Sequence, residues 1–264
     1  MKKLITLCVL VLAFTAYSPQ QACPAQQGKS YGKSLYRELS RRLSKNRADY
    51  PELSDPDFAN FRMVSTSGIA PGKLYRSSSP VSTWGNRNAI ADRLAQSADI
   101  NTFINLADTN TGMREHKGYT GSWYSTRNVI GLNLGMKYRS ADFRRKLAGG
   151  IHFMAVSEPP YLIHCSLGKD RAGFVCALIE CLMGASWPEI ERDYMASFRN
   201  YFGIMPGTKE YDFIVKNEIA AFLSQNFGVK NVAAYDLSDL AGKYFASIGV
   251  SQNDIDSLKH KLGE

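Results

Sequence analysis

Residues 161–174 read Tyr161-Leu162-Ile163-His164-Cys165-Ser166-Leu167-Gly168-Lys169-Asp170-Arg171-Ala172-Gly173-Phe174. A brief apolar run ends at a cysteine. A polar stretch with a glycine follows, and an apolar segment starts beyond Arg171. The pattern predicts a strand, a loop and a buried helix. A loop that curls into a helix N-terminus directs several backbone N–H groups into one hollow. The positive end of the helix dipole adds to them. Gly168 and Gly173 permit tight turns and close packing. Arg171 offers a planar fork that can hold two phosphoryl oxygens. Ser166, Leu167, Gly168, Lys169 and Asp170 supply the rest of the expected phosphate cradle. The same donors favour a thiolate on Cys165, a charged nucleophile aimed at phosphorus.

Outward from this stretch, strands and helices alternate. Short strands are expected at 74–76, 100–106, 129–134 and 161–164, and helices at 84–98 and 141–156. Glu158-Pro159-Pro160 ends the second of these helices. Residues 109–126 are rich in Gly, Thr and Ser and read as a long loop. After Gly184, Ser186-Trp187-Pro188-Glu189 forms a capping box, and further helices are expected at 209–227, 236–248 and 251–262. The fold class is α/β: a central, mostly parallel sheet flanked by helices, with a helix-rich C-terminal part.

The chain has 264 residues, 44% of them hydrophobic and 21% charged. That is ordinary globular composition, which excludes global disorder, collagen and coiled coil. A net charge of +8 fits an anionic substrate or surface without choosing one. Five cysteines without regular spacing exclude a disulfide framework and a zinc ribbon. No HExxH or clustered Asp/His pattern supplies a metal, and no cofactor is expected. Residues 1–22 read as a signal peptide: Lys2 and Lys3 precede a 13-residue apolar run, Leu4 to Ala16. An exported, periplasmic or secreted protein is the expectation. Cys23 admits lipidation, although Gln20-Gln21-Ala22 is a poor approach to a lipidated cysteine. Residues 23–59 read as a polar linker to Gly32, then a basic amphipathic helix with Leu35, Leu39 and Leu43 four apart. The compact domain is expected over 60–264.

His164-Cys165-Ser166-Leu167-Gly168-Lys169-Asp170-Arg171-Ala172-Gly173 resembles the H-C-x-x-G-K-D-R-T-G loop of bacterial tyrosine/phosphoinositide phosphatases, within the protein-tyrosine-phosphatase superfamily. Asn60-Phe61-Arg62 looks like that family's N-F-R opening, Leu74-Tyr75-Arg76-Ser77 like its L-[YF]-R-S segment, and Asp193-Tyr194-Met195 like its D-Y-L. Ile104-Asn105-Leu106 falls where the family has a strand ending in D-L-R. The resemblance implies Cys165 as nucleophile, Arg171 as phosphate clamp and His164 as a support that orients the loop and helps keep the thiolate charged. Lys169 would add charge at the pocket rim. Ala172 departs from the family hydroxyl that eases the thiolate's departure, which implies slower turnover of the intermediate. Met63, Asn105 and Ala107 replace charged family residues, and loss of one mutually paired network would explain all three.

The implied reaction forms and hydrolyses a phosphocysteine, with a carboxylic acid protonating the leaving group. Related enzymes place that acid on a separate loop, and position favours Asp142. Asp108 and Asp170 are the alternatives. Expected partners are a phosphorylated protein, a phosphoinositide or a small phosphate ester, with membrane-surface contact possible and no nucleic acid. The competing reading is a catalytically weak phosphate-binding pseudophosphatase. A sulfurtransferase and a nucleic-acid binder fit the residues less well. Cys176 and Cys181 are expected in the core, and His152 as a satisfied core histidine. Arg76 could reach phosphate or pair with a core carboxylate. Tyr119, Trp123 and Tyr124 could wall the pocket or tether their loop.

Overall fold

The computed structural model describes residues 24–264 and divides the chain into two units, 1–38 and 39–264. The expected signal peptide lies outside the described residues. Helix α1, Pro24–Arg42, crosses the division. The stretch expected as a linker is therefore helical from Pro24 onward, where a proline's missing N–H is no loss at a helix start. Among the described residues no helix is long and apolar enough to cross a membrane.

The second unit carries α2 (Asp55–Phe58), β1 (Arg62–Met63), β2 (Leu74–Ser77), α3 (Asn88–Ser97), β3 (Thr102–Asn105), β4 (Asn128–Gly131), α4 (Ala141–Val156), β5 (Tyr161–His164) and α5 (Asp170–Leu182). Beyond them follow α6 (Trp187–Phe202), α7 (Lys209–Asn217), α8 (Ile219–Phe227), α9 (Leu237–Ser247) and α10 (Gln252–Gly263). The sheet order is β1-β2-β5-β3-β4. Only the β1–β2 pair is antiparallel. The α/β fold with a mixed central sheet and flanking helices is thus established.

Strand β5 is central and every residue in it is buried, as its unbroken apolar run requires. Leu162 and its register partner Phe103 face a cluster with Val81, Ala95, Ile100, Met113 and Tyr124. Helix α5 follows β5 and is apolar nearly all round because α6, α8 and α9 cover it. His152 is not in the core. It is 62% exposed and bonds Asp254 at 3.0 Å, because the face of α4 that carries it meets α10 at its edge.

Charged groups also anchor this interior. Asp193 on α6 binds Arg62 Nε at 2.7 Å and pairs with Arg76 on β2. Arg76 is 0% exposed and also donates to the carbonyls of Gly168 (2.9 Å) and Lys169 (3.1 Å). Burial pushes the Asp193 carboxyl up, but the two guanidiniums outweigh it and hold it well below the carboxylate range. The network thus survives in pieces the family resemblance supplied, and Met63 plays no part in it. Met63 pairs with Tyr75 on β1, three strand spacings from β3, roughly 14 Å across the sheet from Asn105. A single lost pairing between Met63 and the Asn105 segment is excluded by that separation.

Removing the carboxylate strands two guanidiniums in the interior. Asp193→Asn is expected to lower the unfolding free energy by about 3–5 kcal/mol in urea titrations. A loss below about 1 kcal/mol, the level of an exposed pair, would contradict the clamp.

Candidate active site

The loop from Cys165 to Lys169 runs between β5 and α5 at the carboxyl edge of the parallel strands. The last carbonyl of β5 and the five of the loop accept bonds from groups around them. His164 O takes the Leu106 amide at 2.8 Å and Ser166 O the Ser79 amide at 3.2 Å. Cys165 O lies 3.4 Å from His164 Nδ1. Leu167 O accepts from Asn60 Nδ2 (3.1 Å) and the Tyr201 hydroxyl (2.7 Å). Gly168 O and Lys169 O accept from Arg76. With the carbonyls held outward, the amides of Ser166 to Arg171 are the donors left for the concave side.

Two glycines make this packing possible. Gly168 has φ +66°, and a Cβ there would stand 2.1 Å from the Ser77 carbonyl oxygen. A Cβ on Gly173 would meet both Arg76 Nη2 and the Tyr194 ring at 2.8 Å.

Cys165 is a buried free thiol at the base of the loop. Arg171 Nη2 donates to Ser166 Oγ at 3.1 Å. Its Nη1 donates to the carbonyls of Leu134 (3.1 Å) and Leu106 (3.3 Å). The guanidinium is thereby anchored by the segments after β3 and β4, ready to present its fork to an anion. Tyr138 stacks on Phe174 with centroids 4.3 Å apart. Burial pushes its hydroxyl far up, with Asp170 and Cys165 adding to the shift. That places Tyr138 within electrostatic reach of both.

His164 is fully buried, and burial pushes its imidazole down to about 4. It is neutral at physiological pH, so it cannot assist the thiolate by carrying charge. Its contribution is orientation. Nδ1 faces the Cys165 carbonyl, and Nε2 lies 3.3 Å from the Tyr124 hydroxyl. Asn105 Nδ2 donates to that hydroxyl at 3.1 Å, and Asn105 Oδ1 accepts the amides of Ala107 and Asp108. Tyr124 is therefore a buried tether of its loop and a support for His164. Trp123, bonded through Nε1 to the Ile100 carbonyl, anchors the same loop.

Several expectations are corrected. Asp142 stands 54% exposed in the first turn of α4 and binds Arg145 and Lys146, each at 2.8 Å. The Lys146 hydrogen bond leads in lowering its carboxyl below the usual range, the direction opposite to the one a proton donor needs. None of its bonds among the described residues reaches the loop. Lys169 does not extend over the rim. Its side chain is 11% exposed, lies 4.2 Å over the Phe198 ring and binds Asp170. Asp170 opens α5 beside Arg171, and Asp108 binds His116 at 3.2 Å. Cys176 and Cys181 are core thiols. Burial pushes Cys176 up, with Arg76 opposing, so it remains protonated.

Sequence reading missed the stripe of α6 that grips the loop. Asp193, Ser197 and Tyr201 recur every fourth residue and are buried or nearly so, with Asn200 beside them. Ser197 Oγ accepts from Asn60 and Arg62, and Asn200 donates to Asn60 Oδ1. Polar residues at helical spacing on a face flanked by Tyr194, Phe198 and Phe202 were the available signal.

The neutral histidine has a thermodynamic signature. Unfolded, His164 titrates near 6.5, and folded near 4, so the unfolded state binds the extra proton between those values. Stability should therefore fall as pH drops through that window, by about 3 kcal/mol at the limit. Urea unfolding from pH 7 to 4 should show this component in the wild type and lack it in His164→Asn. Equal pH slopes would contradict the assignment.

The family model described as the tyrosine phosphatase family matches residues 57–264, a span that contains all five strands and the loop. No curated protein matches the chain. Among solved structures, the core catalytic domain of the PP-IP phosphatase SIW14 from S. cerevisiae, in complex with citrate, is similar at 20% identity. That likeness has a TM-score of 0.36 and covers 65% of this chain and 95% of that one. The matched span exceeds half of the chain, and the chain belongs to the tyrosine phosphatase family, as a cysteine-based phosphatase.

Proposed function

We propose that the protein is an exported phosphomonoester hydrolase that works through a phosphocysteine on Cys165. The observation that carries this reading is the outward bonding of the five loop carbonyls from Cys165 to Lys169. It leaves amides and the Arg171 fork as donors to an anion held above the sulfur. In the first step the Cys165 sulfur attacks phosphorus in line. The S–P bond forms, the ester P–O bond breaks, and the leaving oxygen takes a proton. In the second step water attacks phosphorus, the S–P bond breaks, and the thiolate and inorganic phosphate are released. Loop amides and Arg171 stabilise the equatorial oxygens in both steps.

Asp170 is the proton donor this reading favours, in place of Asp142. It adjoins Arg171 and is electrostatically felt by the same tyrosine as Cys165. Lys169 binds it in the empty loop, and the assignment requires that pairing to be given up when an anion enters. Phosphoproteins, phosphoinositides and small phosphate esters all remain within the chemistry of the loop. Export rests on the Lys2-Lys3 end and the apolar run that follows. The pseudophosphatase reading has one feature in its favour, the buried Ala172 where a hydroxyl would assist the leaving thiolate.

Single-turnover kinetics with p-nitrophenyl phosphate test the route. The wild type should give a burst of phenolate that Cys165→Ser abolishes. Ala172→Ser adds only a hydroxyl and should raise the later steady rate roughly ten-fold, the worth of one hydrogen bond to a charged sulfur. Phosphate binding without a burst would favour the binding module. Asp170→Asn should slow p-nitrophenyl phosphate little and an alkyl phosphate by about 10²-fold or more, because only the poor leaving group needs the proton. Equal slowing of both would remove Asp170 as the acid.

A further inference from the structure

The segment 137–146 holds five basic residues and one acidic residue. The acidic one, Asp142, pairs with Arg145 and Lys146. Among the described residues no carboxylate pairs with Arg139 or Arg144. Arg139, Arg144 and Arg145 line one side of a hollow of about 560 Å³, and Ser247, Ile248 and Gly249 line another. That volume is in the range of small-molecule sites. Nε of Arg144 is buried without a bonding partner, and the side chain lies against the neutral hydroxyl of Tyr244.

Arginines near a helix end commonly serve its terminal carbonyls. Here that task is already filled. The carbonyls of Tyr244, Phe245 and Ala246 at the end of α9 accept the amides of Ile248, Val250 and Gly249. Three arginines thus line one hollow, and the single carboxylate on their segment, Asp142, is bound to Arg145 and Lys146. An anion that enters the hollow meets their charge. The hollow also has a defined relation to the catalytic loop. Both α4 and α5 start at the carboxyl edge of the parallel strands, and Arg139 directly follows Tyr138, whose ring stacks on Phe174 of α5.

We propose that this hollow is a second anion site, separate from the catalytic loop, that binds a phosphate group of a polyphosphorylated ligand. The site does not depend on the phosphocysteine reading and is present in a chain with no nucleophile. Arg139 and Arg144 are its principal donors, and Arg145 adds charge from the rim.

The test is calorimetric titration of full-length Cys165→Ser/Arg171→Met, which lacks both the sulfur and the phosphate clamp of the catalytic loop, with inorganic tripolyphosphate. One binding event should persist. Arg139→Glu, an exposed substitution that leaves the core intact, should weaken it roughly ten-fold or more, and Arg144→Gln should act in the same direction. Arg93→Glu, which alters an exposed arginine on α3 paired with Asp55, should change it less than about two-fold. Absence of binding to this double variant would overturn the site, as would equal weakening by Arg93→Glu. A second arm identifies the source of the phosphate among ligands the site accepts. Binding to phosphatidylcholine vesicles that contain a phosphatidylinositol bisphosphate, displaced by tripolyphosphate and abolished by Arg139→Glu, assigns it to lipid headgroups. Tripolyphosphate binding without vesicle binding assigns it to a soluble polyphosphate ester.

Discussion

A loop that turns its N–H groups toward an anion must give its carbonyls other partners, and in this protein that requirement organises much of the structure around β5. Arg76 takes two of those carbonyls, Asn60 and Tyr201 share a third, and backbone amides from Leu106 and Ser79 take two more. Each donor then needs its own support. Asp193 fixes Arg76, Arg62 shares Asp193, and Asn60 is held through Ser197, Arg62 and Asn200. Strands β1 and β2 and helix α6 are thereby tied to one loop. Of the side chains in this network, only Arg76 leaves a buried polar atom, Nε, without a partner.

The electrostatics behind the loop follow the same logic. Glu180 on α5 is buried beside Asp193. Burial pushes its carboxyl above the ordinary range, with Asp193 adding to the shift. Arg62 and Arg76, joined by Asp193, stand behind the loop. His164 adds no charge, being neutral, and the charge in front comes from Arg171. The site thus divides its work between donors that hold the loop and donors that hold the anion.

How much of this was legible in the sequence depends on the range of the interaction concerned. The strand, loop and helix around Cys165 were readable because the signal is local: an apolar run, two glycines and an arginine at fixed spacing. Orientation of long side chains was not. Lys169 lies on Phe198, and His152 meets Asp254, both partners brought close only by helix packing. Asp142 looked available because its position was right, yet helical spacing gave it Arg145 and Lys146 as partners, a pairing the sequence itself contained. The segment before Lys33 looked like a linker from its composition, although its proline stands at the one place where a helix accepts it.

The account's central claim is that the bound phosphoryl group passes to the Cys165 sulfur. Acid-quenched single turnovers, followed by digestion at low pH and peptide mass spectrometry, test it most directly. Phosphate should appear on the peptide containing Cys165 at early times, decay as inorganic phosphate accumulates, and be missing from Cys165→Ser. Product release with no phosphopeptide at any time, or phosphate on another residue, would contradict it.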